Sequence, residues 1–187
     1  MRLEKTSALA LLGLLRDAPH HGYELHHHLS DPAGLGQVWR LGISQLYADL
    51  KTLEASGLIS ATLQTQAARP AKKVFALTDA GRAMFAKWMV TPSRGLREMR
   101  IEFIVRLYFA RSDGAPAVAA LVARQDQSLS AELARLLRAP DAPGEFDRLV
   151  RTFRINQIRA ARKWLQSIPT ANPRPRTTAK ARRAQTR

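Results

Sequence analysis

Five histidines, His20, His21, His26, His27 and His28, fall within nine consecutive positions and are the first residues whose type and spacing could do chemistry. Imidazoles hold a metal when several ligands converge, and His21 and His28 could share one face of a helix. The chain has no cysteine to complete such a site, so the run reads as the solvated face of a short helix. Two carboxylate pairs, Asp49 with Glu54 and Glu98 with Glu102, have the residue types for general acid–base work. No histidine, serine or glycine-rich loop of catalytic spacing accompanies them, and the pattern places them on exposed helix faces. The sequence therefore points away from an enzyme, and it implies no cofactor.

A third chemistry is better supported. The 187 residues carry 30 Lys and Arg against 15 Asp and Glu, a net charge of +15 and an isoelectric point near 11.4, which is the balance of a polyanion binder. Charge alone does not separate DNA from RNA, ribosomes or an anionic membrane surface, so the choice rests on particular side chains. Ser44, Gln45, Ala48, Lys51 and Thr52 form the short, mostly polar side of one helical segment. A helix fits the major groove of B-DNA, roughly 12 Å wide, where short side chains reach base edges. Gln45 has the donor and acceptor for a bidentate contact to adenine, whereas Lys51 and Tyr47 suit phosphates, which position without reading. Tyr47 could equally pack its ring in the core. Downstream, Arg69, Lys72 and Lys73 offer three positive charges to a nucleic-acid backbone.

These side chains need elements to hold them. Ala8, Leu11, Leu12 and Leu15 put one apolar stripe on a first helix that ends by Pro19. A short second helix runs from Gly22 to about Leu29, with Tyr23, Leu25 and Leu29 turned inward. The third helix, Gly42–Ser56, keeps Ile43, Leu46, Tyr47, Leu50 and Leu53 at helical spacing and stops at Gly57, where a left-handed residue is favoured. Ile59, Ala61 and Leu63 then alternate with polar residues, and Val74–Leu77 returns as a second strand, making a hairpin with a basic tip. Thr78 is a good N-cap for a fourth helix bearing Asp79 in its first turn and reaching Trp88. Thr91–Gly95 is a linker, after which three helices follow, separated near Ser112–Gly114 and Ala139–Gly144. Their apolar faces include Met99, Phe103, Leu107, Leu121, Leu129, Phe146, Leu149, Val150, Phe153 and Trp164.

The expected fold is mainly α with a small β-hairpin: a winged helix-turn-helix over residues 1–90 and a helical dimerisation and effector region over 95–169. Residues 170–187 hold six basic and no acidic side chains with no apolar periodicity, and read as a disordered basic tail adding non-specific DNA affinity. The apolar run Ala8–Leu15 is too short to span a membrane and wrongly flanked for a signal peptide, so the chain is read as soluble and cytoplasmic.

Two stretches resemble the PadR family of transcriptional regulators. Residues 39–59, WRLGISQLYADLKTLEASGLI, look like that family's recognition-helix segment, and residues 69–81, RPAKKVFALTDAG, resemble its wing and the turn into helix four. Leu12–Leu15 and His21–Leu25 resemble its opening. Gly42 and Ile43 replace a common Ser-Pro at the start of the recognition helix, but glycine remains an acceptable N-cap. The resemblance implies a homodimeric repressor on a palindromic operator, released by a small, often aromatic, inducer. Trp39, Trp88, Tyr108 and Trp164 are candidates to line an effector pocket, and core packing is the alternative for each. The rival reading of the whole is a winged-helix module that binds RNA or protein.

Overall fold

The first apolar run folds as α1 (Thr6–Leu14), in a computed structural model that describes residues 5–66, 69–140 and 143–170. Its burial is not the single stripe that the spacing predicts. Ala8 through Gly13 are all buried, because other elements cover α1 on every side. Gly13 lies so close to the Phe109 ring that a Cβ there would overlap it. His20 and His21 form a two-residue strand, β1, that the sequence does not announce, since two residues have no alternation to read. α2 (Gly22–Ser30) buries Leu25 and Leu29, but Tyr23, expected inside, is exposed.

After a 3-10 turn at Leu35–Gln37 comes α3 (Ile43–Ala55), capped at Gly42 as expected. It ends in a Schellman motif. Gly57 takes φ +69, Leu58 N–H donates to the Leu53 carbonyl and Gly57 N–H to that of Glu54, each at 3.0 Å. β2 (Ile59–Gln66) and β3 (Arg69–Leu77) pair antiparallel, with Ile59 opposite Leu77 and Ala61 opposite Phe75, and β1 joins the far side of β3 at Val74 and Phe75. Both hairpin strands are longer than the alternation indicates. Pro70 is tolerated because β1 does not reach that far and the register shifts between Gln64 and Gln66. Leu63, expected inward, projects beyond the core and is exposed.

Thr78 caps α4 (Asp79–Val90): its Oγ1 accepts from Gly81 N–H at 3.1 Å and lies 2.7 and 2.9 Å from the carbonyl oxygens of Gly57 and Leu58. One side chain thus ties the end of α3 to the start of α4. The expected first C-terminal helix is split into a single turn, α5 (Leu96–Met99), and α6 (Glu102–Asp113). Gly114, at φ +96, separates α6 from α7 (Ala115–Arg138), and α8 (Glu145–Gln166) folds back along α7.

Two apolar clusters result. The first gathers α1 to α4 and the sheet around Leu11, Leu12, Leu25, Leu46, Leu50 and Phe75; the second gathers α5 to α8 around Phe103, Leu121, Leu129, Ile158 and Leu165. α6 serves both, giving Val105 and Phe109 to the first and Phe103 and Ala110 to the second. The N-terminal half of α8 behaves differently. Phe146, Leu149 and Phe153 are 75%, 62% and 61% exposed, so half of the expected apolar stripe faces solvent in the single chain.

Candidate nucleic-acid interface

α3 has one anchored side and one free side. Leu46, Leu50 and Leu53 are buried, while Ser44, Tyr47, Ala48, Lys51 and Thr52 are exposed. One inward expectation fails here, since Ile43 is 47% exposed, and Tyr47, open between core and DNA-facing in the sequence, is 48% exposed. Ile43 is the first helical residue, beyond the edge of the apolar cluster. Tyr47 lies against Gly22, where a Cβ would come within 2.8 Å of its hydroxyl, so its ring packs on the start of α2 while its other side meets solvent.

A polar residue takes the inner place expected for an apolar one. Asp49, read from the sequence as exposed, is buried at 4% and accepts from Ser7 Oγ at 2.5 Å and from Gln45 Nε2 at 2.7 Å. A buried carboxylate needs such donors, and here it has one on each oxygen. Gln45 is half-buried and already committed through one N–H. Thr52 is occupied locally, its Oγ1 donating to the Ala48 carbonyl.

Beside α3, the hairpin carries the expected cations, in unequal states. Lys72 is exposed and Lys73 donates to Glu54 at 2.7 Å, with its Nζ 5.5 Å from the Phe75 ring centre. Lys73 thereby staples the hairpin to the last turn of α3, and Glu54 belongs to that staple and to no carboxylate pair. The Arg69 backbone pairs with Gln66, but the Arg69 side chain and residues 67–68 at the tip lie outside what the structure describes. The basic tail expected over residues 170–187 likewise lies, apart from Thr170, outside the described residues.

The histidines do not act as one face. His21 caps α2: its backbone N–H donates to Glu24 Oε2 at 2.8 Å, a bond that holds the Glu24 carboxyl below its ordinary pKa, and its Nδ1 lies 3.3 Å from the Lys73 carbonyl. His20 and His28 stack edge-on, 5.4 Å apart. Among the described residues no group of three or more His, Asp or Glu side chains is arranged to hold a metal ion.

The four aromatic pocket candidates are scattered. Trp39 packs against the first cluster, and Tyr108 stands 37% exposed with its ring edge-on to Phe109. Trp164 is 40% exposed with its ring against Phe103, and Trp88 is buried. Trp88 borders a polar cluster that the sequence gives no sign of. The Arg106 guanidinium, almost wholly buried, lies 4.9 Å from the Trp88 ring centre and donates to Ser93 Oγ at 3.1 Å and Glu102 Oε2 at 2.7 Å. Gln125 of α7 brackets the Ser93 backbone, accepting from its N–H and donating to its carbonyl. Burial raises the Glu102 carboxyl and lowers the Arg106 guanidinium, outweighing their mutual attraction. Ser93 and Arg94 belong to what reads as a plain linker, and Arg94 N–H donates to Glu98, so neither carboxylate of the Glu98–Glu102 pair is free. Polar burial of this kind leaves no periodic trace, because its partners are 13 and 32 residues apart.

A family model described as the transcriptional regulator PadR-like family matches residues 11–87, and one described as virulence activator alpha C-term matches residues 99–170. The chain is 29% identical over 171 residues to the negative transcriptional regulator PadR of Bacillus subtilis, covering 85% of this chain and 93% of that protein. It is 35% identical over 83 residues to a probable transcriptional regulator of Mycobacterium tuberculosis, covering 44% and 43%. Among solved structures, it is similar to Bacillus subtilis PadR in complex with operator DNA, at 28% identity and TM-score 0.45 over 86% of this chain and 95% of that one. It is also similar to the same protein in complex with p-coumaric acid, at 24% identity and TM-score 0.43 over 89% and 95%.

Proposed function

We infer, from the premise that this chain belongs to the PadR-like family of transcriptional regulators, that it is a dimeric repressor which reads a two-fold symmetric operator through α3. The observation that carries the reading is the asymmetry of α3: an inner row locked in the core, an outer row of Ser44, Gln45, Tyr47, Ala48 and Lys51 accessible, and a basic hairpin stapled alongside. On this reading Ser44, Gln45 and Ala48 approach base edges, Tyr47 and Lys51 approach phosphates, and Arg69, Lys72 and Lys73 follow the flanking backbone. Residues 1–90 form the DNA-binding unit, 95–169 the pairing and effector region, and the basic segment 170–187 adds affinity without sequence preference.

Pairing is supported by α8. Phe146, Leu149, Val150 and Phe153 recur at i, i+3, i+4 and i+7 and stand exposed. Fully burying one such side chain is worth roughly 1.5–3 kcal/mol, so a second copy covering this stripe gives a driving force that can offset part of the cost of association. Two copies place two α3 helices in half-sites about 34–36 Å apart. An aromatic inducer completes the reading. Trp88 and the Arg106 guanidinium sit where α4, the 91–95 segment, α6 and α7 meet, so a ligand wedged there would alter how the two parts are placed. No helix among the described residues is long and apolar enough to cross a membrane, and operator binding puts the working protein in the cytoplasm.

The test is selection of duplexes from a random pool at about 150 mM salt, a concentration that suppresses purely electrostatic binding. A two-fold symmetric motif is the expected result. Recovery of unrelated sequences, with preference for structured RNA at matched salt, would replace this reading by that of an RNA-binding winged helix.

A further inference from the structure

We propose that Asp49 is the positioning residue for base recognition, fixing which way the Gln45 amide faces. A glutamine amide has two N–H donors on one side and a carbonyl acceptor on the other, and its free rotation makes it an ambiguous reader. Here the ambiguity is removed. Gln45 Nε2 donates to Asp49 Oδ1 at 2.7 Å, and the other oxygen of Asp49 is held by Ser7 Oγ at 2.5 Å. Turning the amide over would set its carbonyl oxygen against the carboxylate, two acceptors facing each other at a group that is 4% exposed. The nitrogen stays inward, and what remains for a partner is one N–H and the carbonyl oxygen.

That remainder is the pair that adenine requires, with its N7 acceptor and N6 amino donor on the major-groove edge. The chain therefore presents Gln45 as an adenine reader whose rotamer and amide orientation are set before DNA arrives, so that less side-chain freedom is lost on binding. Ser7 lies on α1 and Asp49 and Gln45 lie on α3, so the reader is referenced to the core of the domain and not only to its own helix. This inference rests on α3 being the DNA-reading helix, as proposed above.

The test compares variants on the selected operator with each base pair in turn at every position. Gln45→Ala should lower the preference for adenine at one position per half-site by on the order of tenfold. Asp49→Leu, similar in size and without an acceptor, should remove most of the same preference while leaving affinity for unrelated duplexes unchanged. In a Gln45→Ala background Asp49→Leu should add nothing at that position. Asp49→Asn should rescue, because its carbonyl can accept from Gln45 while its amide donates to the Ser7 hydroxyl. In the free protein, side-chain amide NMR should show one Gln45 proton shifted by hydrogen bonding and the shift abolished by Asp49→Leu. If Asp49→Leu does not fold, Ser7→Ala serves in its place and should weaken the same preference in part.

An Asp49→Leu effect that is equal on all duplexes, or that adds in full to Gln45→Ala, overturns the positioning role alone. A Gln45→Ala variant with unchanged preference at every position overturns both the positioning role and the assignment of Gln45 as a reader.

Discussion

Gly81 shows how little room single positions have at the joint between α3 and α4. A Cβ at this position would overlap the Leu58 carbonyl oxygen, which is backbone and cannot swing aside, and would crowd Leu77. Gly81→Ala should therefore cost about 2 kcal/mol or more despite the better helix propensity of alanine, read as a lowered midpoint of thermal unfolding. At this scale the sequence was legible where a residue acts on its own neighbours. Thr78 as a helix cap, Gly42 as a helix start and Gly57 as a left-handed stop all follow from local chemistry, and all three stand as expected. Asp49 was not legible. Its burial depends on Ser7, 42 residues away, and a carboxylate in an otherwise polar stretch carries no mark of being inside. Arg106 is hidden for a similar reason: Glu102 is a turn away on its own helix, but Ser93 and the Trp88 ring, which complete its burial, lie outside that helix.

At the scale of elements, the hairpin's two described lysines are predicted to behave differently. Each phosphate contact contributes about 0.9 to the slope of log K against log salt. Lys72→Ala should reduce the slope by about that amount. Lys73 is already paired with Glu54, so Lys73→Ala should change the slope less and instead loosen the hairpin's attachment to α3, measurable as faster amide exchange in β3. The helices of the C-terminal part carry a pH signature with two opposed limbs. Glu102 is raised by burial, so the folded state takes up its proton more readily than the unfolded chain, and its protonation in mild acid adds stability. Asp126 is lowered by its two bonds to Arg162, which tie α7 to α8; its contribution is present above the ordinary carboxylate range and is lost as pH falls through the depressed value. Thermal unfolding followed against pH should show Glu102→Gln flattening the upper limb and Asp126→Asn the lower. The order of elements was readable from period and punctuation. The two-residue strand β1 and the one-turn helix α5 were not, being shorter than the repeat needed to see them.

For the whole molecule, the question is what covers α8. The sequence shows an apolar stripe along it but not whether that stripe closes the chain's own core or another surface, because periodicity reports a face and not its partner. In the single chain Ile158 and Leu165 are buried while Phe146, Leu149 and Phe153 are not. Phe153→Glu should therefore leave the fold intact, shift the protein to monomer in sedimentation, and weaken operator binding far more than binding to a single half-site. A variant that remains a dimer would place the pairing surface elsewhere.

The contact between Gly13 and Phe109 works, in mechanical terms, as a coupling without backlash. With the ring seated where a Cβ would be, α1 has no clearance from α6, and α6 is fixed along its other side, through Phe103 and Ala110, to the helices beyond. α1 also carries Ser7, the residue at the root of the Gln45 orientation. A rod gripped on both sides cannot turn for one neighbour only, so a rotation imposed on the C-terminal helices has no slack to take up before the floor beneath α3 begins to move.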